Sequence, residues 1–481
     1  MIDFLIIGGG VSGALIAREL TKYHTRVMLV EKENDIGNHA TLANSAIIHS
    51  GHDPEVGSLK AKLCLQGNAM YDELEKNLSV PLLRTGAYVV ARNKEDEAVL
   101  DTLFARAKKN GVPSVALLDS KDARKDEVHL ADDVTKVLSL PTTKVTYPWD
   151  VAIGALENAV INGADYKLNF AVDAIEVIDG GYRVCAKDGR HIDTKGIVNA
   201  AGTFADVIAN MIDGTSEFTI TPRRGEYFVL DKKVKGFLNH VLYPVPGKFG
   251  KGVLAVPQVH GNILLGPTSA YQDDREDTAN HASDLSKVRT DSDKLLKDIP
   301  YDKVIRTFAG IRATSTHKDF YIQRSKARKH VYHVGGIDSP GLTAAPAIAR
   351  YVVETLIKHD SALTMNPSFN PVRKKPTPFY EMDAKARAEA IARDPRYGNI
   401  VCKCERVTEA EIIEDLKRPC ASDTIKGIKK RIRIGSGLCQ GGYCESPLLK
   451  ILARERGKKL QEIDYYDQDT PILMKETKVK R

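Results

Sequence analysis

Four cysteines stand in two tight pairs near the end of the chain, Cys402 with Cys404 in "IVCKCERVTEAEI" and Cys439 with Cys444 in "IGSGLCQGGYCESP". Thiols at such spacing ligate metal or carry redox chemistry. A second chemical pattern lies at the other end, where "DFLIIGGGVSGALIARELTKYHTRVMLVEKEN" places Gly8, Gly10 and Gly13 at the G-x-G-x-x-G positions. Those glycines suit a tight turn, a close backbone approach to a pyrophosphate, and packing of helix on strand. Glu31 follows about twenty residues on, where a carboxylate can accept from ribose hydroxyls. The pattern predicts nucleotide binding, with the anion at a helix N-terminus.

The elements around these residues give them context. Phe4 to Ile7 and Val27 to Val30 read as buried strands, and Ala14 to Leu20 keeps an apolar stripe at helical spacing. Far downstream, "GIVNAAGTFADVIANM" runs a strand into the small residues Ala200, Ala201 and Gly202, and "HVYHVGGIDSPGLTAAPAIARYVVETL" repeats strand, glycine turn and helix. That return is what a two-part FAD domain needs if it is split around a substrate domain. Between its parts, "GAYVVA", "RGEYFVL" and "GVLAVPQVHGNILLGPT" predict a largely antiparallel sheet.

Composition narrows the classes. A chain of 481 residues with 42% apolar content predicts two or three globular domains. The apolar N-terminal run is too short and glycine-rich for a membrane span and lacks signal-peptide flanks, so a cytoplasmic location is expected. Seven cysteines, four of them within 43 residues, argue against a secreted disulfide framework. A net charge of +7 without basic runs interleaved with aromatics argues against nucleic acid and is compatible with an anionic substrate.

Three further stretches carry a resemblance. "ATLANSAIIHSGHDPEVGSLKAKLCLQGNAMYDEL", "RTFAGIRATS" and "GGIDSPGLTAAPAIA" are similar to the compact bacterial glycerol-3-phosphate oxidases and dehydrogenases, and to the L-2-hydroxyglutarate oxidoreductases, within the D-amino-acid-oxidase superfamily. The resemblance spans roughly residues 1 to 370. It implies a Rossmann-type FAD-binding domain of mixed α/β and α+β class with an inserted antiparallel-sheet substrate domain. It also implies oxidation of a secondary alcohol, for which a base must take the hydroxyl proton while hydride leaves for the flavin. Histidine suits that task near neutrality. His49 in "HSG" is the expected base, with His52 its competitor.

Arg312 in "AGIR" is expected to grip the substrate anion, because a guanidinium binds phosphate or carboxylate bidentately. Ser339 is a second candidate donor or a helix N-cap, and Lys251 a third, with Lys248 equally near the pattern. The resemblance further assigns Val11, Ser12, Lys32, Thr41, Asn44 and Ser45 to the cofactor. From the later segments it adds Val172, Ala201, Gly202, Gly310, Gly336, Gly341, Leu342 and Thr343. Arg312 alone does not separate glycerol 3-phosphate from 2-hydroxyglutarate. The glycine turn together with the cysteine tail looks like the anaerobic glycerol-3-phosphate dehydrogenase large subunit, which favours the former.

After "NPVRKKPTPF" the chain changes character. The expected organisation is an oxidoreductase over 1–375, with its FAD parts near 1–80, 145–215 and 305–370. A linker over 376–398, a small helical cysteine domain over 399–456 and a tail over 457–481 follow. Thr408 and Glu411 form a capping-box pattern, and "SPLLKILARER" reads as a helix with Pro447 in its first turn, which puts both cysteine pairs at helix starts. C-x-C followed by C-x4-C departs from zinc knuckles, and four thiolates also suit a 2Fe-2S cluster. "IRIGSGLCQGGYC" is similar to the bacterioferritin-associated ferredoxin type, which implies 2Fe-2S. Cys420 fits neither pair. A flavin beside a one-electron centre implies a dehydrogenase that passes electrons to a protein subunit or quinone pool. The contrasting class is a non-catalytic redox-sensing or assembly protein.

Overall fold

The computed structural model describes residues 1–247 and 252–475. The strand Ile2–Ile7 lies between Val27–Val30 and His191–Asn199, parallel to both, and Asp165–Lys167 and Val331–Gly335 extend the parallel set on either side. The antiparallel hairpin Val172–Ile178 with Gly181–Ala186 joins the edge of His191–Asn199, and Tyr321–Arg324 closes an eight-stranded sheet. Ile6 and Leu29 are fully buried, as strands covered on both faces require. The helix Val11–Leu20 follows the first glycine turn and Gly341–Tyr351 the second, so two helices start at the same end of the parallel strands. Sequence periodicity and structure agree here.

The inserted half is a nine-stranded sheet. Ile220–Leu230 and Val304–Ser315 pair antiparallel over almost their whole length, with Gly225 opposite Gly310 and Arg223 opposite Arg312. Leu254–Pro257 and Ile263–Gly266 form the expected hairpin. One pairing departs from the antiparallel expectation: Val241–Pro244 runs parallel to Ala87–Ala91. The two strands are about 150 residues apart in the chain, a distance at which no turn dictates their direction.

The C-terminal part has its own small core around Ile412, Ile428, Leu448 and Leu452. Thr408 caps the helix Glu409–Asp415 and the Glu411 side chain returns to it, the expected box. The first cysteine pair differs from expectation. It sits on the hairpin formed by Ile400–Cys402 and Val407–Thr408, several residues ahead of that helix, so the region is not purely helical. "NPVRKKPTPF" is also not a bare break, because Arg373 is buried and bonds Asp150 and Glu157. Among the described residues no helix is long and apolar enough to cross a membrane.

Candidate functional site

The glycine turn is shaped by contacts that tolerate no side chain. Gly8 has φ of +114°, and a Cβ there would lie 2.4 Å from the Ala200 carbonyl oxygen. The Gly9 N–H donates to Glu31 Oε2 at 2.6 Å, and the Val11 N–H to Thr41 Oγ1 at 3.0 Å. Glu31 and Thr41 therefore hold the turn as well as bordering the space above it. Asn44 braces the same loop through the Thr41 carbonyl and the Ala46 N–H.

Segments remote in sequence enclose one cavity of about 600 Å³ above this turn. Gly8, Gly10, Val11, Ser12, Glu31, Lys32, Thr41, Asn44 and Ser45 border it from the first turn and its loops. Val172, Ala201, Gly202, Gly310, Gly341 and Leu342 border it from the later segments, and His49, Arg312 and Ser339 join them. The small residues along one side leave backbone open to a ligand, which fits an extended dinucleotide. Gly13, Gly336 and Thr343 are not on the cavity wall. Gly13 packs against the Gly8 carbonyl, Gly336 turns the chain with φ of +64°, and Thr343 Oγ1 accepts from the His49 N–H at 2.8 Å. Lys251 and Lys248 lie outside the described residues.

His49 and His52 separate clearly. Both are buried, but only His49 borders the cavity, and its Nδ1 lies 3.0 Å from the Tyr243 hydroxyl. His52 packs its edge against the same tyrosine and meets Ser50. Burial raises the Tyr243 hydroxyl well above its ordinary value, so it stays protonated and can orient the ring.

Arg312 is the most exposed to chemical demand. Its Nη2 donates to the Thr268 carbonyl at 3.1 Å, while Nη1 is buried with no hydrogen-bond partner among the described residues. Burial pulls the guanidinium below its ordinary value, with the nearby Tyr227 and Asp338 opposing the shift and Arg223 adding to it. A buried cation with an unused donor is a place for an anion. Gly225 makes room for it, since a Cβ there would lie 2.5 Å from Nη2. Ser339 is exposed on the cavity border, and the N-cap of the following helix is Pro340, so the alternative reading of Ser339 as a helix cap is not found.

Sequence reasoning missed Tyr243, Thr268, Tyr227 and Arg223. The paired arginines of "RRGEYFVL" were a signal, but that run reads first as a strand.

The cysteine pairs converge from the two sides of the small core. Cys404 Sγ and Cys439 Sγ are 3.8 Å apart, and Gly437 allows this approach, since its Cβ would lie 2.3 Å from that of Cys404. The Cys444 thiol, helped by the backbone N–H groups of Gly435 and Glu405, brings the Cys402 thiol down to about 6. N–H groups aimed at sulfur and four gathered thiols fit a cluster that requires thiolates. Cys402 and Cys444 are buried, whereas Cys439 is exposed, so one corner faces outward. Cys420 lies instead in the core of the flavin half, where burial pushes its thiol up to about 12. It is an inert packing residue.

Comparison with known proteins assigns both parts of the chain to known families. The family described as FAD dependent oxidoreductase matches residues 3–355, and the BFD-like [2Fe-2S] binding domain matches residues 400–454. A glycerol 3-phosphate dehydrogenase of Caloramator mitchellensis is 39% identical over 478 residues, 99% of either chain. Mouse (Mus musculus) mitochondrial L-2-hydroxyglutarate dehydrogenase is 29% identical over 72% of this chain and 87% of its own. Among solved structures, the dithionite-reduced L-alpha-glycerophosphate oxidase of Mycoplasma pneumoniae with FAD bound superposes with a TM-score of 0.74 at 29% identity, covering 78% of this chain and 99% of that one. With the glycine turn, the split sheet and the gathered thiols in place, the chain belongs to the FAD-dependent oxidoreductase family and carries a BFD-like 2Fe-2S-binding domain, with FAD and a 2Fe-2S cluster as its cofactors.

Proposed function

We propose that the protein is a dehydrogenase that oxidises glycerol 3-phosphate to dihydroxyacetone phosphate and delivers the electrons to a partner protein or quinone. The observation that carries this reading is the Arg312 guanidinium, buried with Nη1 unpartnered on the cavity that His49 also borders. The name of the relative that matches over the whole chain supports the choice of substrate.

Arg312 takes the phosphate, with Nη1 donating to an oxygen while Nη2 stays anchored on the Thr268 carbonyl. That grip fixes the C2 carbon and its hydroxyl with respect to His49. The imidazole accepts the hydroxyl proton as the C2–O bond becomes a carbonyl, and Tyr243 at Nδ1 keeps the ring from turning away. FAD, when bound, supplies the acceptor for the C2 hydride, and the cluster a means of passing electrons on singly. Glu31 and Thr41 hold the turn on which the dinucleotide rests. Cys402, Cys404, Cys439 and Cys444 hold the cluster, with Cys439 on the outward corner where a partner could dock.

Anaerobic titration of the holoenzyme tests this reading. Glycerol 3-phosphate is expected to bleach the flavin band, and L-2-hydroxyglutarate to leave it oxidised. Bleaching by L-2-hydroxyglutarate alone would move the substrate to the 2-hydroxy acids. Bleaching by neither compound would favour a non-catalytic redox sensor.

A further inference from the structure

We propose that a second cavity, between the flavin half and the cysteine module, is a binding site for a phosphate-bearing small molecule held by Lys426, Lys429 and Arg306. The cavity is about 710 Å³, within the range of small-molecule sites. One wall is shared with the flavin cavity, at Ala43, Asn44, Gly310 and Ile311. The opposite wall comes from the helix Ile425–Ile432 and from Ser436 and Gln440, in the loop that leads to Cys439. Neither Arg312 nor His49 borders it, so its occupant is distinct from the substrate.

The charges on this wall divide into spent and unspent. Lys430 bonds Asp35, Arg433 bonds Glu405, and Arg275 bonds Asp206. The acids at the rim are likewise engaged: Glu33 with His39 and Lys32, and Glu276 with Lys32. Lys426, Lys429 and Arg306 have no carboxylate in ion-pair range among the described residues. Lys429 reaches only Gln440 Oε1 at 3.3 Å, and Lys426 lies over the rings of Tyr465 and Tyr466. Asp467 and Glu445 act on them only from a distance, and burial together with Glu33 raises the Asp467 carboxyl.

A solvated lysine patch would keep its ordinary protonation. Here burial and the repulsion of Arg306 bring both lysines down to about 8. Two half-buried ammonium groups and a guanidinium converge on one concave wall, and none of the three is ion-paired with a carboxylate among the described residues. Phosphate oxygens supply the missing charge and accept from all three, and ammonium and guanidinium groups are the donors that bind phosphate in general. The site also lies between the flavin cavity and the cysteine loop, where an occupant touches the walls of both.

Calorimetric titration of the FAD- and cluster-loaded protein with pyrophosphate, with and without saturating glycerol 3-phosphate, tests the proposal. One pyrophosphate is expected to bind whether or not glycerol 3-phosphate is present. The Lys426→Gln/Lys429→Gln protein, checked for its flavin and cluster absorbance, is expected to bind it at least tenfold more weakly, and Arg312→Met as tightly as the parent. If the double variant loses either cofactor, Arg306→Gln on the exposed rim replaces it, with a severalfold loss expected. Absence of pyrophosphate binding, competition by glycerol 3-phosphate, or undiminished binding in the lysine or Arg306 variants would overturn the proposal.

Discussion

The substrate end of the flavin cavity and the junction with the cysteine module both bury charge, and they treat it in opposite ways. At the substrate end, Arg312 is left with a donor unused. At the junction three buried carboxylates are each matched: Asp35 takes Arg431 at 2.8 and 2.9 Å and Lys430 at 2.7 Å, Glu157 takes Arg418 and Arg373, and Asp150 takes Arg373 and Lys375. Burial raises the Asp35 and Asp150 carboxyls, but the facing cations outweigh it and hold both below the usual carboxylate range, Asp150 at about 2. Matched charge at this depth fixes geometry, while unmatched charge awaits a ligand.

Changes at the two regions should therefore report differently. Arg312→Met removes the guanidinium proposed to hold the substrate anion, and we predict a loss in kcat/KM on the order of 10^4 with FAD retained, read by steady-state kinetics. Equal activity in that variant would break the contrast at its unmatched end. His49→Ala should slow anaerobic flavin reduction by about 10^3 with FAD retained, read by the decay of the flavin band after mixing with glycerol 3-phosphate. At the junction, Asp35→Asn leaves two buried cations facing a neutral amide and should destabilise the fold by about 3 kcal/mol, visible in denaturant unfolding. An unchanged midpoint would mean that the junction is not as tightly made as its distances imply.

Acid sharpens the same comparison. Asp35 and Asp150 have depressed values, so their contribution is complete above the ordinary carboxylate value near 4 and is lost as pH falls below it. Asp415 runs the other way. Burial raises it to about 7 against the pull of Arg431 and Arg418, and its Oδ2 has no partner among the described residues. Its contribution is complete below pH 4 and lost as pH rises through 7, so Asp415→Asn should stabilise at pH 8 by about 1–2 kcal/mol and change little at pH 4. Melting curves at the two pH values check this.

What the sequence disclosed depends on the range of the interaction. Gly8, Gly10, Glu31 and the strand-turn-helix around them are local, and the fold follows the pattern closely. The cysteine pairs are local too, although the hairpin under Cys402 and Cys404 escaped notice because Val407–Thr408 is only two residues long. Arg312 and His49 were visible through their neighbours in the chain. Tyr243, 194 residues from His49, was not, and neither was the pairing of Asp35 with Arg431 across 396 residues. Charge matching at such range is decided by packing and leaves no periodic trace.

One consequence follows from where Asp35 sits. The loop that Arg431 and Lys430 grip runs between Glu31 and Thr41, the two residues that hold the glycine turn, and Tyr466 adds a bond to the Asn38 carbonyl in the same loop. Dinucleotide binding and folding of the cysteine module therefore draw on a common segment. Thermodynamic linkage makes such an arrangement reciprocal: the free energy by which a folded module tightens FAD is the free energy by which FAD resists unfolding of the module. Iron loss and flavin loss are then two coupled equilibria, and a preparation depleted of one is expected to hold the other less firmly.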